Sequence, residues 1–361
     1  MQAFKRLGER PSPARLGGLM SLLHLLGTAG DGGAETYFVQ LVRALAEAQL
    51  DQSAAIRRHE GRLNALGAAG VPTGVFDFGG PLDLLTRPKI ARFAMRHDTS
   101  AALAWMNRAA RHTPRGPWKR IGRLGGYYNL KYYRGFDMLV ANTEHIAEWI
   151  VEQGWPAGRV RYIPNFAEAP GDAQPVDRAL LDTPAEAPLL LGLGRLHEVK
   201  GHDISLRALS LLPDAYLWIA GSGPQELRLR ALAEALGVSK RVRFLGWRND
   251  ASALYRTADI CVFPSRFEPL GNVVIQAWAH GLPVVAAASQ GPSSLIRDGE
   301  DGLLVPVDDA DALARAIRTL IQEPMLRLSL AGQGAARVEA DFSRKSVVAR
   351  WRELLGDLGA P

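Results

Sequence analysis

The sequence predicts an α/β protein with two domains, each built on a doubly wound parallel sheet that helices cover on both faces. The first domain opens with an apolar run at 19–26, a glycine-rich turn at 27–33 and a helical pattern at 34–48. A second opening of the same kind has an apolar run at 189–194 and a helical pattern from about Asp203. Strand, glycine turn and helix begin a parallel βαβ unit, and 361 residues are enough for two such domains.

Strand and helix patterns continue to alternate through the second half of the chain. This alternation indicates a parallel sheet that is buried on both faces. Ligands of such sheets bind outside the carboxyl ends of the strands, so the cleft between the two domains is the expected site. Strands are predicted at Tyr216–Ala220, Val242–Leu245, Ile260–Phe263 and Val284–Ala287, and helices at 225–236, 250–256, 272–280 and from 309 onward.

Changes in composition along the chain predict five segments. The first 18 residues are basic, rich in Pro and Gly and without the apolar region of a signal peptide, so we expect a disordered tail. A later stretch rich in Pro, Ala and Asp is interpreted as the linker between the domains. The segments are the tail 1–18, the N-terminal domain 19–165, the linker 166–188, the C-terminal domain 189–342 and a C-terminal helix at 343–361, for which the N-terminal domain is the candidate packing partner.

The composition excludes several classes of protein. The 47% apolar and 22% charged content is typical of a globular chain, and no apolar run reaches the roughly 18 residues of a membrane span. The single cysteine, Cys261, lies in an apolar strand, which excludes a disulfide framework and a cysteine-based metal site. The expected location is the cytoplasm, with a peripheral position on the inner face of the cytoplasmic membrane as an option.

Positive charge is concentrated in the N-terminal half. Residues 1–165 carry 22 Lys and Arg against 13 Asp and Glu, a net charge of +9, whereas the remainder carries −3. Residues 99–136 contain no Asp or Glu and interleave cations with Trp and Tyr, which suits an anionic membrane surface, a phosphorylated glycolipid or nucleic acid. A solvated helix beside a packing core explains the same composition. The candidate acceptor-binding or membrane-facing residues are Arg108, Arg111, Arg115, Lys119, Arg120 and Arg123.

Charged side chains in the C-terminal half lie at predicted strand ends. Arg195 and Lys200 follow the strand that opens the second domain, where two cations can neutralise a diphosphate or remain as solvated loop charges. Glu268 lies in a turn before a helix predicted to begin near Asn272, whose free N–H groups and positive dipole end can hold an anion. An acid beside an anion site indicates a sugar nucleotide, with its phosphates on the amides and its hydroxyls on the carboxylate.

Glycine turns at other predicted strand ends are further candidates for ligand contact. Gly32 and Gly33 precede the first helix, and Gly221 opens another strand-to-helix turn. Glycine allows close approach of the backbone to a ligand, although most glycine turns only change the direction of the chain. Trp247 follows the strand predicted at Val242–Leu245, where its ring can stack on a nucleotide base or pack within the protein.

Together these segments resemble the retaining glycosyltransferases of family 4, which have the GT-B fold. The resemblance covers almost the whole chain after Met20. Its patterns are Gly-Arg-Leu…Lys-Gly at 194–201, Gly-Ser-Gly-Pro at 221–224, Glu-x(7)-Gln at 268–276 and Ala-His-Gly-Leu-Pro-Val-Val at 279–285. It implies two Rossmann-like domains that face each other across a cleft, the first for the acceptor and the second for the nucleotide sugar.

The resemblance also implies roles for individual residues. Arg195 and Lys200 would bind the donor diphosphate, and Glu268 would contact the donor sugar near the reacting centre. Backbone at Gly33 would approach the phosphate and sugar. The amides of Leu270, Gly271 and Asn272 would hold the same groups. The donor would be a nucleoside diphosphate sugar, with UDP as the expected nucleotide, and neither a metal nor a cofactor is implied.

Two positions depart from the family pattern. Gln276 stands where the family has a second Glu that binds the ribose hydroxyls, and an amide keeps one acceptor but loses the charge. The loop 123–128 lacks the His that many relatives place before the segment matching Asp137–Thr143. We expect the first departure to lower donor affinity.

The expected function is transfer of a sugar from a nucleoside diphosphate sugar to a hydroxyl of a saccharide or lipid-linked saccharide, with retention, in bacterial cell-surface polysaccharide or lipopolysaccharide synthesis. A GT-B scaffold that binds a nucleotide sugar with little or no transfer is one alternative, and both Gln276 and the missing His favour it. A basic nucleic-acid-binding protein is the other. It explains the positive charge but not the motifs of the acidic half, so no nucleic-acid partner is expected.

Overall fold

The N-terminal domain is a seven-stranded parallel sheet with helices on both faces. A computed structural model describes residues 21–30, 32–80, 82–167 and 171–359, so the tail predicted at 1–18 lies outside the described residues. The strand order is β3-β2-β1-β4-β5-β6-β7. The strands are β1 (Leu22–Leu26), β2 (Gln52–Ile56), β3 (Thr73–Val75), β4 (Ala101–Trp105), β5 (Lys119–Leu124), β6 (Met138–Ala141) and β7 (Val160–Tyr162). The helices are α1 (Gly33–Glu47), α2 (Glu60–Ala68), α3 (Thr86–Arg96), α4 (Met106–His112) and α5 (Glu144–Glu152).

The C-terminal domain repeats this architecture with six parallel strands in the order β10-β9-β8-β11-β12-β13. The strands are β8 (Leu189–Leu193), β9 (Tyr216–Ala220), β10 (Val242–Gly246), β11 (Ile260–Phe263), β12 (Val284–Ala287) and β13 (Leu303–Val305). The helices are α6 (His202–Ser210), α7 (Glu226–Ala235), α8 (Ala251–Thr257), α9 (Asn272–Ala279), α10 (Gln290–Leu295), α11 (Ala310–Gln322), α12 (Pro324–Arg337) and α13 (Arg344–Gly359).

Apolar periodicity explains most of these elements. Strands such as β1 and β11 are buried along their whole length, as parallel strands between two helical layers must be. In α1, apolar side chains three and four residues apart form the face that packs on the sheet, among them Phe38, Leu41, Val42 and Leu45. Three predicted strands, β9, β11 and β12, have the predicted limits. The prediction of two parallel α/β domains is confirmed.

The Pro-rich segment between the domains is anchored to the C-terminal domain. The Arg178 guanidinium donates to the Thr257 carbonyl at 2.7 Å and to Asp259 at 3.1 Å. The Trp218 indole N–H donates to the Thr183 hydroxyl at 2.9 Å. Residues 171–188 therefore form a strap that packs along this domain.

The last helix returns to the N-terminal domain. Val347, Trp351 and Leu354 of α13 are buried in the same apolar core as the residues of α1 and β1. At its start, the Arg344 guanidinium lies 2.5 Å from the Glu47 carboxylate at the end of α1. The chain thus crosses between the domains twice, once before the strap and once before α13. No helix in the described ranges is long and apolar enough to cross a bilayer.

Two buried histidines are held neutral by the fold. His24 accepts at Nδ1 from the Trp105 indole N–H at 3.4 Å, and its Nε2 lies 2.9 Å from the Gln52 amide oxygen. Burial lowers the pKa of His24 to about 4, and burial also lowers the pKa of His202 to about 4. Protonation of either imidazole therefore places an unfavourable charge in the interior of the folded protein.

We expect the thermal unfolding midpoint to fall as the pH drops from 7 to 5. Between pH 6.5 and 4 the unfolded chain binds protons that the folded chain excludes, so the stability from each neutral histidine is complete above pH 6.5 and is lost toward pH 4. Each histidine contributes about 2 kcal/mol to the loss of stability between pH 7 and pH 5. The difference between midpoints should shrink in H24Q and persist in the control H145Q, which alters an exposed histidine. Equal pH dependence in all three proteins would contradict this account.

Candidate functional site

A cavity of about 170 Å³ lies between the two domains at the carboxyl ends of their strands. Its N-terminal wall comes from the first turn of α1 and from the ends of β4, β5 and β6. Its C-terminal wall comes from the loop that joins β11 to α9. The residues that line it include Gly33, Tyr37, Trp105, Arg123, Tyr128, Asn142 and Asn165 on one side and Glu268, Pro269, Leu270 and Asn272 on the other.

Glu268 lines the C-terminal wall and pairs with Lys200, which is itself absent from the described cavity lining. The Lys200 ammonium lies 2.5 Å from Oε2 of Glu268, whose side chain is 14% exposed. The other oxygen, Oε1, accepts from the Gly271 N–H at 3.2 Å. Gly271 precedes α9 with φ +89°, so its left-handed backbone turns the chain into the helix. The structure thus brings the predicted acid, the predicted lysine and the start of a helix into direct contact.

The starts of α1 and α9 face each other across the cavity. A Cβ on Gly33 would lie 3.9 Å from the Asn272 side-chain nitrogen, and the Asn165 amide donates to the Asn272 side-chain oxygen at 3.0 Å. Each helix start presents free N–H groups and the positive end of a dipole. Two such ends beside a lysine have the electrostatic character that suits an anion.

Three loops of the C-terminal domain are packed backbone against backbone. A Cβ on Gly221, which has φ +149°, would lie 2.0 Å from the Gly194 carbonyl oxygen. A Cβ on Gly201, which has φ +66°, would lie 2.1 Å from the Pro264 carbonyl oxygen. These glycines allow the loop that carries Lys200 to lie against its two neighbours. Gly221 itself is absent from the described cavity lining, so its observed contact is with protein backbone.

Four further residues of the predicted donor site have other positions in the fold. Arg195 is exposed at the end of β8, and Trp247 is 70% exposed, with its indole N–H donating to the Asn249 side chain at 3.0 Å. Gln276 is half-buried one turn along α9 from Asn272. Gly32 caps the start of α1. None of these four borders the cavity among its described lining residues.

The six basic residues predicted for one acceptor or membrane face do not share a face. β5 runs from Lys119 at the amino edge of the sheet to Arg123 near the carboxyl edge, so its ends lie on opposite sides of the domain. Arg123 is only 3% exposed and lines the cavity, so it is no part of an exposed membrane-facing surface, whereas its predicted contact with an acceptor stays a prediction. Arg108 lies near Gly27 at the end of β1. Arg111 and Arg120 are partly buried, and Arg115 and Lys119 are exposed toward the amino edge.

The aromatic residues of the same stretch serve mainly for packing. Trp105, Trp118 and Tyr133 are each at most 7% exposed and belong to the two apolar cores of the domain. Their side chains fill the space between the sheet and its helices. Packing, one of the alternatives left open for this stretch, accounts for these three rings.

Several cavity residues were missed by the motif patterns. Trp105 ends β4, and Asn142 follows β6 directly. Asn165 lies three residues after β7 and contacts the other domain through Asn272. Because ligands bind beyond the carboxyl ends of parallel strands, the position of a polar residue just after a predicted strand was the signal that could have found them.

The comparisons with known proteins agree with this geometry. Family models match 31–169, described as "Glycosyltransferase Family 4", and 174–337, described as "Glycosyl transferases group 1". The lipopolysaccharide core biosynthesis glycosyltransferase LpsE of Rhizobium meliloti (strain 1021) is 42% identical over 330 residues, which cover 90% of this chain and 96% of the relative. The chain belongs to the group 1 glycosyltransferases of family 4. The lipopolysaccharide core biosynthesis glycosyltransferase LpsD of the same strain is 36% identical over 339 residues. This match covers 93% of this chain and 98% of LpsD.

A solved structure of another protein shows the same architecture. Anabaena Alr3699/HepE, solved in complex with UDP, superposes with a TM-score of 0.82 at 21% identity, covering 94% of this chain and 100% of that one. At this identity the likeness concerns the fold alone. The family 4 glycosyltransferase described here has the GT-B fold, with its two sheets on either side of the cavity.

We expect G221A to lower the thermal unfolding midpoint strongly. Its Cβ would overlap the Gly194 carbonyl oxygen and φ is unfavourable, which together cost about 3 kcal/mol or more. The matched control is G237A, where φ is +69° but no atom lies within 4 Å, so the expected cost is about 1–2 kcal/mol. Differential scanning calorimetry compares the variants. Equal midpoints would mean that close packing of the loops does not constrain Gly221.

Proposed function

We propose that this glycosyltransferase moves a sugar from a UDP-sugar to a hydroxyl of a saccharide, with retention, in lipopolysaccharide or related cell-surface polysaccharide synthesis. The observation that carries the proposal is the contact of Lys200 with Glu268 at the start of α9, facing the start of α1. Two relatives named as lipopolysaccharide core biosynthesis glycosyltransferases support the pathway, and the UDP complex of Anabaena HepE supports the nucleotide.

In this proposal the donor diphosphate binds between the two helix starts. The N–H groups of residues 270–272, the Lys200 ammonium and the Arg195 guanidinium supply positive charge from the C-terminal domain. Arg195 has no ion pair within the described residues and is exposed near the strand end. A diphosphate beside Lys200 gives that ammonium a second anionic partner. One oxygen of Glu268 then becomes available to accept a hydrogen bond from a sugar hydroxyl.

Glu268 is better suited to stabilise charge than to attack the sugar. It is the one acid in the described cavity lining, and Lys200 and the Gly271 N–H engage its two oxygens. A carboxylate stabilised by a cation is a weak nucleophile, but it can stabilise the positive charge that develops on the sugar ring. We therefore propose attack by the acceptor hydroxyl from the side that the diphosphate leaves. The bond from C1 to the phosphate oxygen breaks, the bond from C1 to the acceptor oxygen forms, and the proton passes to the phosphate.

We propose that the transfer requires neither a metal ion nor a cofactor. The nucleotide sugar is itself a substrate of the reaction. The charge on the departing diphosphate is met by Lys200, Arg195 and the helix starts, all of which are preorganised by the fold.

We expect K200A and R195A each to lower kcat/KM for a UDP-sugar donor by about 10²–10³-fold, because each variant removes a charge that stabilises the leaving group. The matched control is K240A, which removes an exposed lysine from the same domain. Initial rates of UDP release with a saccharide acceptor provide the measurement. Near-normal turnover in K200A would overturn the assignment of the site.

Retention and metal independence can be tested together. Proton NMR of the product should show the anomeric configuration of the donor sugar, and the rate should be unchanged after dialysis against EDTA. An inverted anomeric centre would refute attack from the leaving-group side. Loss of activity with EDTA and recovery with a divalent cation would refute metal independence.

We further propose that the protein docks on an anionic membrane surface, where a lipid-linked acceptor would be found. The support comes from a surface that contains only part of the set of basic residues expected from the sequence. Leu82, Leu84 and Leu85, in the loop before α3, are 94%, 80% and 64% exposed. Helix α3 carries four exposed cations and no acid: Arg87, Lys89, Arg92 and Arg96. Asp83, in the same loop, is engaged by the Thr86 hydroxyl at 2.6 Å and the Gly79 N–H at 2.7 Å.

The basic residues before β5 extend this surface. The Arg87 guanidinium donates to the Arg111 carbonyl at 2.8 Å, which joins α3 to α4. Burial, together with the nearby charges of Arg115 and Arg87, lowers the pKa of Arg120. Exposed leucines beside clustered arginines suit insertion among lipid chains with the cations at anionic headgroups. This surface, Leu82 to Arg96 with Arg111 and Arg115, is called the basic-apolar face.

We expect the protein to co-sediment with phosphatidylcholine vesicles that contain phosphatidylglycerol, and only weakly with pure phosphatidylcholine. The triple variant L82S/L84S/L85S should bind the anionic vesicles at least tenfold more weakly, because it loses the inserting side chains. L227S is the matched control, since Leu227 is 83% exposed on the other domain. Equal binding to both vesicle types, or equal binding by the triple variant and L227S, would count against the basic-apolar face.

A further inference from the structure

Arg123 is a buried arginine in the wall of the cleft. It lies near the end of β5, is 3% exposed and borders the cavity that Glu268 and Asn272 line from the other domain. Three aromatic rings surround its guanidinium, with distances to the ring centres of 5.0 Å for Tyr37, 5.3 Å for Trp105 and 5.7 Å for Trp351. The side chain therefore cannot turn toward bulk water.

No carboxylate compensates this charge among the described residues. The guanidinium donates to the Asn165 side-chain oxygen and, at 3.4 Å, to the Ile163 carbonyl, both of which are neutral. These bonds occupy two of its five N–H groups. Burial lowers the pKa of Arg123, as expected for a cation that lacks a counter-charge. Buried arginines are normally paired, so the missing anion calls for an explanation.

Asn142 supplies a second incomplete group in the same wall. It is 5% exposed and lines the same cavity, and its side-chain oxygen is buried without a hydrogen-bond donor among the described residues. Buried side-chain oxygens nearly always accept a hydrogen bond. One cavity wall thus offers a guanidinium without an anion and an amide oxygen without a donor.

We propose that this wall binds a sugar that carries a carboxylate or phosphate group, with the anion on Arg123 and a hydroxyl of the same sugar on the Asn142 oxygen. The planar fork of Arg123 suits the two oxygens of either anion. The inference rests on the proposed function and names the substrate class of that site. The donor diphosphate is served from the opposite wall by Lys200, so the anion on Arg123 belongs to the acceptor or to the sugar of the donor.

The experiment uses the wild-type full chain and compares matched substrates. The acceptor arm compares a hexuronic acid glycoside and a hexose 6-phosphate glycoside with the neutral hexose glycoside. The donor arm compares a UDP-hexuronic acid with the corresponding UDP-hexose. We expect at least tenfold higher kcat/KM for the acidic member in one arm, and that arm identifies the source of the anion. Equal use of acidic and neutral members in both arms would overturn the proposal.

Variants then test whether Arg123 binds the anion and causes the preference for the acidic substrate. R123Q should raise KM for the preferred acidic substrate at least tenfold, leave the neutral one nearly unchanged and abolish the preference, while R123K should retain part of it. N142D should also weaken the preference, because it adds a negative charge beside the anion. R134Q, which alters an exposed arginine of the same domain outside the described cavity lining, is the control. Persistence of the wild-type preference in folded R123Q would contradict the assignment.

Two controls separate the possible failures. Stabilisation of R123Q by UDP, measured as a shift of the thermal midpoint, shows that the donor site is intact. If R123Q does not fold, the comparison of substrates with the wild-type protein still decides the proposal. If UDP does not stabilise the wild-type protein and no UDP-sugar is turned over, the proposed function itself fails.

Discussion

Close contact between the backbones of three loops is the constraint on which the active cleft depends. The carbonyl of Gly194 occupies the space that a side chain at Gly221 would need, and the carbonyl of Pro264 does the same at Gly201. Because the loops cannot move apart without losing this packing, Lys200 is held within 2.5 Å of Glu268. The electrostatic centre thus depends on glycine positions that do not themselves line the described cavity.

The cleft also depends on how the two domains are joined. Helix α13 is buried in the N-terminal core through residues such as Trp351, and Asn165 bonds directly to Asn272 across the cavity. Trp351 also contacts the Arg123 guanidinium, so the helix that ties the domains together borders the proposed anion site. A ligand that bridges the two walls would therefore be recognised by both domains and by the segment that connects them.

Much of the fold could be predicted from the sequence because strand and helix periods are local. The limits of β9 and β11 and the position of Glu268 before α9 follow from apolar runs and Gly or Pro turns. The burial of Arg123 could not be predicted, since it depends on neighbours from three distant segments.

The basic-apolar face was missed for a related reason. Composition drew attention to a charge-rich stretch, whereas the fold buries three of its aromatic rings and bonds its Arg111 to Arg87 of α3, the helix that follows the exposed leucines.

The most direct test of the proposed donor site is a crystal structure of the protein with UDP and an unreactive analogue of the donor sugar. We predict that the diphosphate lies within hydrogen-bond distance of Lys200 and the N–H groups of residues 270–272, with a sugar hydroxyl on Glu268. Binding of the nucleotide outside the cleft would contradict it, as would a diphosphate that leaves the Lys200–Glu268 pair untouched.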